Sequence, residues 1–187
     1  SFNQIWQLPA DTFFQYIPQF AGIYQYVCTP HIPMGMIGEF TVVNGSTTQT
    51  YVPDANFEQA LISLGYDTGT PNGSVPTSSI DTVTYLDVSN QFISDLTGIE
   101  DFTALEILDC PKNNLSSLDL SANLLLFSLS AAENQLIFLN VSNNINLKNL
   151  NCEDNQMTFL DVSNNTNLEE LGCDYNQLTS LDVSNNI

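Results

Sequence analysis

The sequence predicts a mainly β fold, most of which is a solenoid of stacked coils with a cap helix at its N-terminal end. The first observation behind this prediction is a period of 21 residues that runs from Leu105 to Asn186. A fixed repeat period is a stronger indicator of architecture than any local pattern. Apolar side chains recur in four columns of the period: Leu105, Leu126, Leu147 and Leu168; Leu108, Leu129, Leu150 and Leu171; Leu118, Leu139, Leu160 and Leu181; and Leu120, Val141, Val162 and Val183.

The second observation is that asparagine occupies two further columns of the same period. The columns are Asn113, Asn134, Asn155 and Asn176, and Asn123, Asn144, Asn165 and Asn186. A polar residue among buried leucines is expected to bond backbone groups that tight turns leave unpaired. The columns therefore indicate a structural role rather than a catalytic one.

The third observation is a short alternating run in each repeat, such as Leu168, Leu171 and Cys173. These side chains point inward on a strand, while the residues between them point outward. One coil cannot bury its own apolar face and must stack on its neighbours. The repeat L-x-x-L-x-C-x-x-N-x-L-x-x-L-D-V-S-x-N resembles a bacterial leucine-rich repeat, and the resemblance covers every position of four consecutive units. Leu181–Val183 suggests a second short extended segment on the far side of each coil.

A cap helix is predicted between Val52 and Gly65. Pro53 and Asp54 suit its first turn, and Gly65 suits the position after its end. Its apolar face, formed by Phe57, Ala60, Leu61 and Leu64, would cover the open end of the solenoid. Residues 67–79 are predicted to be a loop, and Val83, Leu86, Val88, Ile93 and Leu96 begin a first unit in which Gln91 replaces the column asparagine.

Cys110, Cys152 and Cys173 share one repeat position with Ala131. Exchange of cysteine for alanine at an inward site favours small-residue packing over catalysis. Neighbouring rungs lie about 5 Å apart, but side chains that stack in one direction seldom have a disulfide torsion. We therefore expect free buried thiols.

Residues 1–43 follow a different pattern. Tyr24–Cys28 and Ile37–Val42 read as two strands that flank His31 and Met36. The pattern Y-x-Y-x-C-x-P-H-x-x-x-G-M-x-G-x-x-x-V resembles the copper-binding loop of plastocyanin-like cupredoxins. The resemblance implies the last strands of a Greek-key β-sandwich and one type 1 copper ion, held by the ligands Cys28, His31 and Met36.

A type 1 site takes two histidines and one cysteine, with a weak axial methionine. His31 is the single histidine of the sequence, so the resemblance implies that a second histidine precedes Ser1 in a longer chain. The alternative is a remnant that no longer binds metal. In that case Cys28 is a buried thiol, Met36 fills a gap in a core and His31 lies in a surface loop.

Charge excludes several classes of partner. Two lysines stand against 21 acidic residues, which gives a net charge of −19. Such a chain is repelled by phosphate backbones and by anionic membrane surfaces, so we expect no nucleic acid and no membrane as partner. The column of Asp119, Asp161 and Asp182 could hold Ca²⁺, but one column supplies fewer oxygens than the six to eight or so that this ion prefers.

No catalytic set is recognisable, and we predict that the protein is not an enzyme. Outward polar positions with one aromatic ring form a candidate surface for an extracellular protein or a carbohydrate. Its residues are Asp109, Asn151, Glu153, Asp154, Asp174 and Tyr175.

Four segments are predicted: 1–43, the C-terminal part of a cupredoxin-like domain; 44–50, a linker; 51–81, the cap helix and a loop; and 82–187, a solenoid of about five units. Both ends look like cuts in a longer chain. The segment Tyr51-Val-Pro-Asp-x-Asn-Phe57 resembles the lead-in to the repeats of secreted Bacteroidetes proteins. This resemblance implies type IX secretion and a location outside a Gram-negative cell or on its outer surface. A recognition protein with an accessory copper domain is favoured. The alternatives are a copper-dependent electron-transfer or copper-sequestering protein docked by its repeats, and a structural surface scaffold.

Overall fold

The computed structural model describes Gly22–Val27, Ile37–Val42 and residues 48–186. The chain divides into two compact units, Ser1–Ser46 and Thr47–Ile187. In the described part of the first unit, β1 (Gly22–Val27) pairs antiparallel with β2 (Ile37–Val42), and Tyr24 lies opposite Phe40. The two strands predicted around the copper loop are therefore present, whereas the cupredoxin sandwich stays a prediction. Cys28, His31 and Met36 lie outside the described residues.

The second unit contains a parallel sheet of five strands. They are β5 (Tyr85–Asp87), β6 (Ile107–Asp109), β7 (Ser128–Ser130), β8 (Asn149–Asn151) and β9 (Glu170–Gly172). Each strand lies beside its neighbour in the sequence, and the register joins the same repeat position throughout, for example Leu108 to Leu129 and Leu129 to Leu150. The 21-residue period therefore sets the register.

The core lies behind this sheet and runs through every coil. The middle residue of each strand points inward, and Leu86, Leu108, Leu129 and Leu150 are buried. The columns of Leu118 and Leu120 are also buried as far as Leu160 and Val162. On the far side of the described coils, strand-like pairing is limited to one bridge between Asp119 and Asn140, so the second extended segment that the sequence suggested is only weakly formed.

The first asparagine column, which we call the first column, forms hydrogen bonds between neighbouring coils and contains Asn113, Asn134, Asn155 and Asn176. The Nδ2 atom of Asn134 donates to the carbonyl oxygen of Cys110 in the preceding coil, at 3.0 Å, and to those of Ala131 and Ala132 in its own coil. Its Oδ1 atom accepts from the backbone N–H of Leu115, again in the preceding coil, at 3.0 Å. The predicted structural role of this column is confirmed.

Asparagines of the second column use only half of their amide. The Nδ2 atom of Asn144 donates to the carbonyl oxygens of Leu120 and Asn123, at 3.1 and 2.9 Å. Its buried Oδ1 atom has no protein partner, and the same holds for Asn123 and Asn165. The side chains of the second asparagine column therefore donate to carbonyl groups of the preceding coil but accept from no N–H group.

The cap consists of α1 (Ala55–Ser63) and an antiparallel pair formed by β3 (Gln49–Tyr51) and β4 (Ser74–Pro76). Asp54 caps the N-terminus of α1, where its Oδ1 accepts from the N–H groups of Asn56 and Phe57 at 2.8 and 3.1 Å. Gly65 follows the helix with a φ of 86°, which suits glycine at that position. Phe57 packs against Phe102 of the first coil, with ring centroids 6.4 Å apart. The cap helix thus covers the end of the solenoid, as predicted.

Three details of the cap differ from the sequence prediction. The predicted linker 44–50 contains the start of β3, and the predicted loop 67–79 contains β4 and a short 3-10 helix, Thr77–Ser79. Three-residue strands are too short to show an alternating pattern. Leu64 is 46% exposed, because the helix has already ended where the chain turns towards Gly65.

The first coil is one residue longer than the others. Asn123 donates to the carbonyl groups of Ile99 and Phe102 in the same way that Asn144 donates to those of Leu120 and Asn123, so Ile99 and Leu120 occupy the same position of the repeat. Leu96 and Leu118 also share a position, so the extra residue of the first coil lies between Leu96 and Ile99. Gly98 stands there with a φ of 106°, and a Cβ atom at this site would lie 2.8 Å from the carbonyl oxygen of Tyr51. Glycine is therefore required by both its conformation and its surroundings. Of the described residues, none belongs to a helix long and apolar enough to cross a membrane.

Candidate binding surface

The outward residues of the five strands form one continuous surface, which we call the sheet face. It contains the first and third residue of each strand: Tyr85 and Asp87, Ile107 and Asp109, Ser128 and Ser130, Asn149 and Asn151, and Glu170 and Gly172. These side chains are exposed or half-buried, whereas the residue between them is buried in the first four strands. The inward positions are nearly all leucine, whereas the outward positions vary from coil to coil, with Asp87 and Asp109 as the one repeated pair. Because the fold does not require this variety, the sheet face is the place where the coils differ in chemistry.

Carboxylates dominate the charge beside the sheet. Both lysines of the chain lie in these coils, and each pairs with the next coil: Lys112 with Glu133 at 3.4 Å and Lys148 with Glu169 at 2.8 Å. Exposed pairs of this kind contribute little stability, about 0–1 kcal/mol each. Their effect on the surface is to leave the carboxylates of Asp87, Asp109 and Glu170 without a basic partner among the described residues.

Hydrogen bonds between neighbouring strands orient two carboxylates on the sheet face, and Asp87 accepts from the N–H of Ser89 in its own turn. The Tyr85 hydroxyl donates to Oδ2 of Asp109 at 3.1 Å, and Nδ2 of Asn149 donates to Oε2 of Glu170 at 2.9 Å. The hydrogen bond to Asp109 raises the pKa of Tyr85, so this phenol stays protonated as a donor at neutral pH. Each carboxylate keeps a second oxygen for which the structure shows no partner.

A gap at Gly172 shapes the C-terminal part of the face. A Cβ atom at this position would lie 2.8 Å from Oε1 of Glu153 and 3.3 Å from Oδ1 of Asn151. The half-buried Glu153 carboxylate therefore leans over the last strand, into space that a larger residue would fill.

The residue before each first-column asparagine adopts a left-handed conformation. Lys112, Glu133, Asp154 and Tyr175 have φ between 50° and 58°, a region that non-glycine residues rarely occupy. This backbone turns the chain so that the following asparagine faces inward. It also presents Tyr175 to solvent, and that residue is 80% exposed.

The structure places the six predicted surface residues on neighbouring coils. Asp109 and Asn151 are the last residues of strands, and Glu153 and Asp174 lie two residues after strand ends. Asp154 and Tyr175 belong to the column of left-handed residues that precede the first-column asparagines. Sequence reasoning missed Tyr85, Asp87 and Glu170. The offset of 22 residues that aligns the first coil with the second would have placed Tyr85 and Asp87 beside Ile107 and Asp109.

The cysteine column lies beneath the sheet face. Cys110, Cys152 and Cys173 are free thiols, and the Sγ atoms of Cys110 and Cys152 donate to the carbonyl oxygens of Ser130 and Gly172, at 3.3 and 3.4 Å. Burial raises the pKa of both Cys110 and Cys152 to about 12, and nearby negative charge adds to the effect. Protonated thiols are poor nucleophiles, so Cys110 and Cys152 pack the core rather than doing chemistry. Cys173, in the last coil, is half-buried, so the predicted burial holds for two of the three thiols. Among the described residues there is no cluster of His, Cys, Asp and Glu suited to a metal ion.

An open groove of about 320 Å³ lies beside Gly98, away from the sheet face. Three carboxylates line it, but each already accepts a backbone N–H in its own turn: Asp95 from Thr97, Glu100 from Gly98 and Asp119 from Ser121. These carboxylates stabilise turns, and the groove is a weaker candidate site than the sheet face.

Comparisons with known proteins agree with this architecture. Internalin J of Listeria monocytogenes is 38% identical over 86 residues, which make up 44% of this chain and 9% of that protein. The solved functional domain of that protein, which includes a cysteine ladder, matches with a TM-score of 0.69 and 36% identity over 77% of this chain and 32% of that one. A second internalin of the same species, InlF, matches with a TM-score of 0.56 and 21% identity over 74% of this chain and 49% of that one, a likeness of fold alone.

The chain therefore has a leucine-rich-repeat fold of the internalin kind. It spans about a tenth of the length of the curated relative and about a third of the solved domain. No protein-family model matches the sequence. The cysteine column of this chain parallels the ladder named for the solved domain.

Proposed function

From the internalin-like leucine-rich-repeat fold, we propose that this chain belongs to a secreted or cell-surface recognition protein that binds an extracellular protein or carbohydrate through its sheet face. The observation that carries the proposal is the contrast between columns. Inward positions keep the same residue type because they pack the core. The first outward position of each strand changes its residue type at every coil, from Tyr85 through Ile107, Ser128 and Asn149 to Glu170. Solenoids use such outward surfaces to bind partners.

Two further observations support binding rather than catalysis. The thiols of Cys110 and Cys152 are buried and their pKa values are raised, and the carboxylates of the groove beside Gly98 are held in turns. The likeness to internalins, which are leucine-rich-repeat proteins, supports the same conclusion. We propose a location outside the cell or on its outer surface.

The test is steric obstruction of the sheet face in the full-length protein. Ser128→Tyr places a ring in the middle of the face, in the column that already carries Tyr85 and Ile107. Thr158→Tyr is the matched control, because its column of the repeat carries an exposed Ile137 on another side of the coil. Both columns accept large side chains, so both variants should fold.

The probes are arrays of extracellular protein domains and of glycans. We expect the wild type to bind a discrete set of array members, and Ser128→Tyr to lose at least about tenfold in affinity, or ~1.4 kcal/mol. Thr158→Tyr should bind as the wild type does. Equal binding by the two variants, or no binding by the wild type, would contradict the proposal and favour a structural scaffold.

Copper binding is a second candidate function, favoured by the antiparallel pairing of β1 with β2 on either side of residues 28–36. Cys28, His31 and Met36 supply sulfur and imidazole groups that suit a type 1 site, with a further histidine expected before Ser1. In this proposal the copper domain is accessory to recognition, or it serves electron transfer or copper sequestration. Full-length protein with added Cu(II) should bind about one ion per chain and show an intense visible band, and Cys28→Ser should abolish the band. A band that persists in Cys28→Ser would contradict this ligand set.

A further inference from the structure

The sheet face has a distinct chemical pattern along the stack of coils. Asp87 and Asp109, on β5 and β6, form what we call the first acidic patch. Glu153, Glu170 and Asp174, on the coils of β8 and β9, form the second acidic patch. The coil of β7 separates them with the small side chains of Ser128, Ser130 and Ala132.

Each acidic patch also carries an exposed tyrosine ring. Tyr85 is 50% exposed and donates its hydroxyl to Asp109 in the first patch. Tyr175 is 80% exposed and follows Asp174 directly in the second. A carboxylate next to an aromatic face is suited to an ammonium or guanidinium group, which gains both charge pairing and a cation–π contact.

Among the described residues, no cation pairs with a carboxylate of either patch. The two lysines of the chain are paired with Glu133 and Glu169, outside both patches. In the described hydrogen bonds, Asp109 and Glu170 each use one carboxylate oxygen, which leaves the other free to accept from a ligand. The face is therefore complementary in charge to a basic partner.

We infer that the sheet face binds an extended, basic polypeptide segment that crosses the strands and places one Lys or Arg cluster on each acidic patch. This inference rests on the proposed function of the sheet face. The patches are centred about three strands apart, which is about 14 Å at the usual spacing of neighbouring strands. An extended chain covers that distance in about four residues. The expected ligand has two basic clusters about four residues apart, with small residues between them to match the β7 coil.

The test measures fluorescence anisotropy with two labelled peptides of the same composition and the full-length protein. In one peptide, two pairs of arginines are separated by two small residues, so that the centres of the pairs lie four residues apart, and in the other the four arginines are contiguous. The spaced peptide should bind at least about fivefold more tightly. Raising the salt from about 50 to about 300 mM should weaken its binding strongly, because the charges are exposed.

Two double variants with the same change in net charge separate the sheet face from general attraction. Glu153→Gln with Glu170→Gln removes two charges from the second patch. Asp119→Asn with Asp161→Asn removes two charges from the far side of the coils. The latter pair is expected to fold, because Asn140 occupies the same column and accepts from the N–H of Ser142 as Asp119 does from that of Ser121.

We expect the Glu153/Glu170 variant to bind the spaced peptide about tenfold more weakly and the Asp119/Asp161 variant to change less than about twofold. Equal losses in the two variants, equal binding of the two peptides, or no binding would overturn the inference. Suppose instead that Ser128→Tyr blocks the binding of an array partner, but neither salt nor the Glu153/Glu170 variant changes the affinity for that partner. The basic ligand is then wrong while the proposed function stands. If Ser128→Tyr blocks nothing, both fail.

Discussion

At the scale of single residues, the asparagines show how a buried polar group stabilises a stack of coils. Asn155 pairs an N–H and carbonyl groups, because its Oδ1 accepts from Leu136 at 2.9 Å and its Nδ2 donates to Ala131 at 3.0 Å. Asn165, in the same coil, pairs only carbonyl groups and leaves its own Oδ1 without a partner. The two asparagines are both buried, but they form different sets of hydrogen bonds and should contribute differently to the stability of the fold.

Replacement of each asparagine by alanine should reveal this difference. Asn155→Ala leaves the buried N–H of Leu136 unpaired and should lower the free energy of unfolding by about 2–4 kcal/mol. Asn165→Ala also removes an unpaired oxygen and should cost about half as much. The exposed Asn164→Ala is the control and should cost less than about 0.5 kcal/mol. Urea unfolding followed by circular dichroism measures all three, and an Asn165→Ala loss as large as that of Asn155→Ala would contradict the ranking.

Asp54 is the residue that fastens the cap helix to the first coil. Its Oδ2 accepts from the N–H groups of Ser94 and Asp95 at 2.8 and 3.1 Å, while its Oδ1 caps the helix. Partial burial acts to raise the pKa of Asp54, but the hydrogen bonds from Ser94, Phe57 and Asn56 outweigh it, and the pKa lies below its usual value.

A lowered pKa gives the stability contribution of Asp54 a definite pH range. The contribution is complete above the unfolded-state pKa of about 3.9 and is lost as pH falls through the lower folded-state value. Asp54→Ala should therefore cost about 1–2 kcal/mol at pH 7, and this deficit should shrink below pH ~4. Urea unfolding of both proteins at neutral and acid pH measures it. An equal deficit at both pH values would show that the charge of Asp54 does not matter.

At the scale of elements, the cap is held by buried polar contacts as well as by Phe57. Glu58 of α1 is 1% exposed, and its two carboxylate oxygens accept from the N–H groups of Asn72 and Gly73 at 2.6 and 2.7 Å. Thr50 of β3 is equally buried and donates to Oδ2 of Asp101 at 2.6 Å. The helix, the loop after it and the first coil are thereby joined into one element.

The fit between the cap and the first coil is tightest at Gly98. Gly98→Ala adds a Cβ atom against the carbonyl oxygen of Tyr51 and forces alanine into a left-handed conformation. Gly69→Ala is the matched control, because Gly69 has a φ of 95° but no atom within 4 Å of the added Cβ. Left-handed strain alone should cost about 1 kcal/mol at Gly69, and the added clash should at least double the loss at Gly98. Thermal unfolding measures both, and equal shifts of Tm would show that the cap moves aside freely.

At the scale of the whole molecule, the net charge of −19 opposes folding. Self-repulsion destabilises a compact chain, and salt screens it. Raising NaCl from about 20 to about 300 mM should therefore increase Tm by several degrees. CaCl₂ at the same ionic strength should raise Tm no more than MgCl₂, because the carboxylates of the Asp119 column each bond their own turn. A larger shift with Ca²⁺ would reveal a calcium site.

The repeat and its register were predictable because each column has one physical role. Leu108 must lie beside Leu129 once the period is known, and the first-column asparagines must face inward. The left-handed column was not predictable, because Lys112, Glu133, Asp154 and Tyr175 share no preference for that conformation. The pairing of Tyr85 with Asp109 was missed although the offset of 22 residues between the first two coils indicates it. The copper ligands and their domain stay a prediction.

The direction of the asparagine bonds also bears on how such a chain can change its length. Each first-column side chain belongs to one coil but completes the turn of the coil before it, as Asn134 does for Leu115 and Asn155 for Leu136. The first coil has no coil before it and therefore needs no asparagine for this purpose. At the second-column position it has Phe102, which packs against Phe57 of the cap. Removal of residues 126–146 would bring Asn155 to Leu115, and each asparagine hydrogen bond between coils would be replaced by an equivalent one. Gene duplication or deletion in steps of 21 residues can therefore lengthen or shorten the sheet face without any compensating mutation.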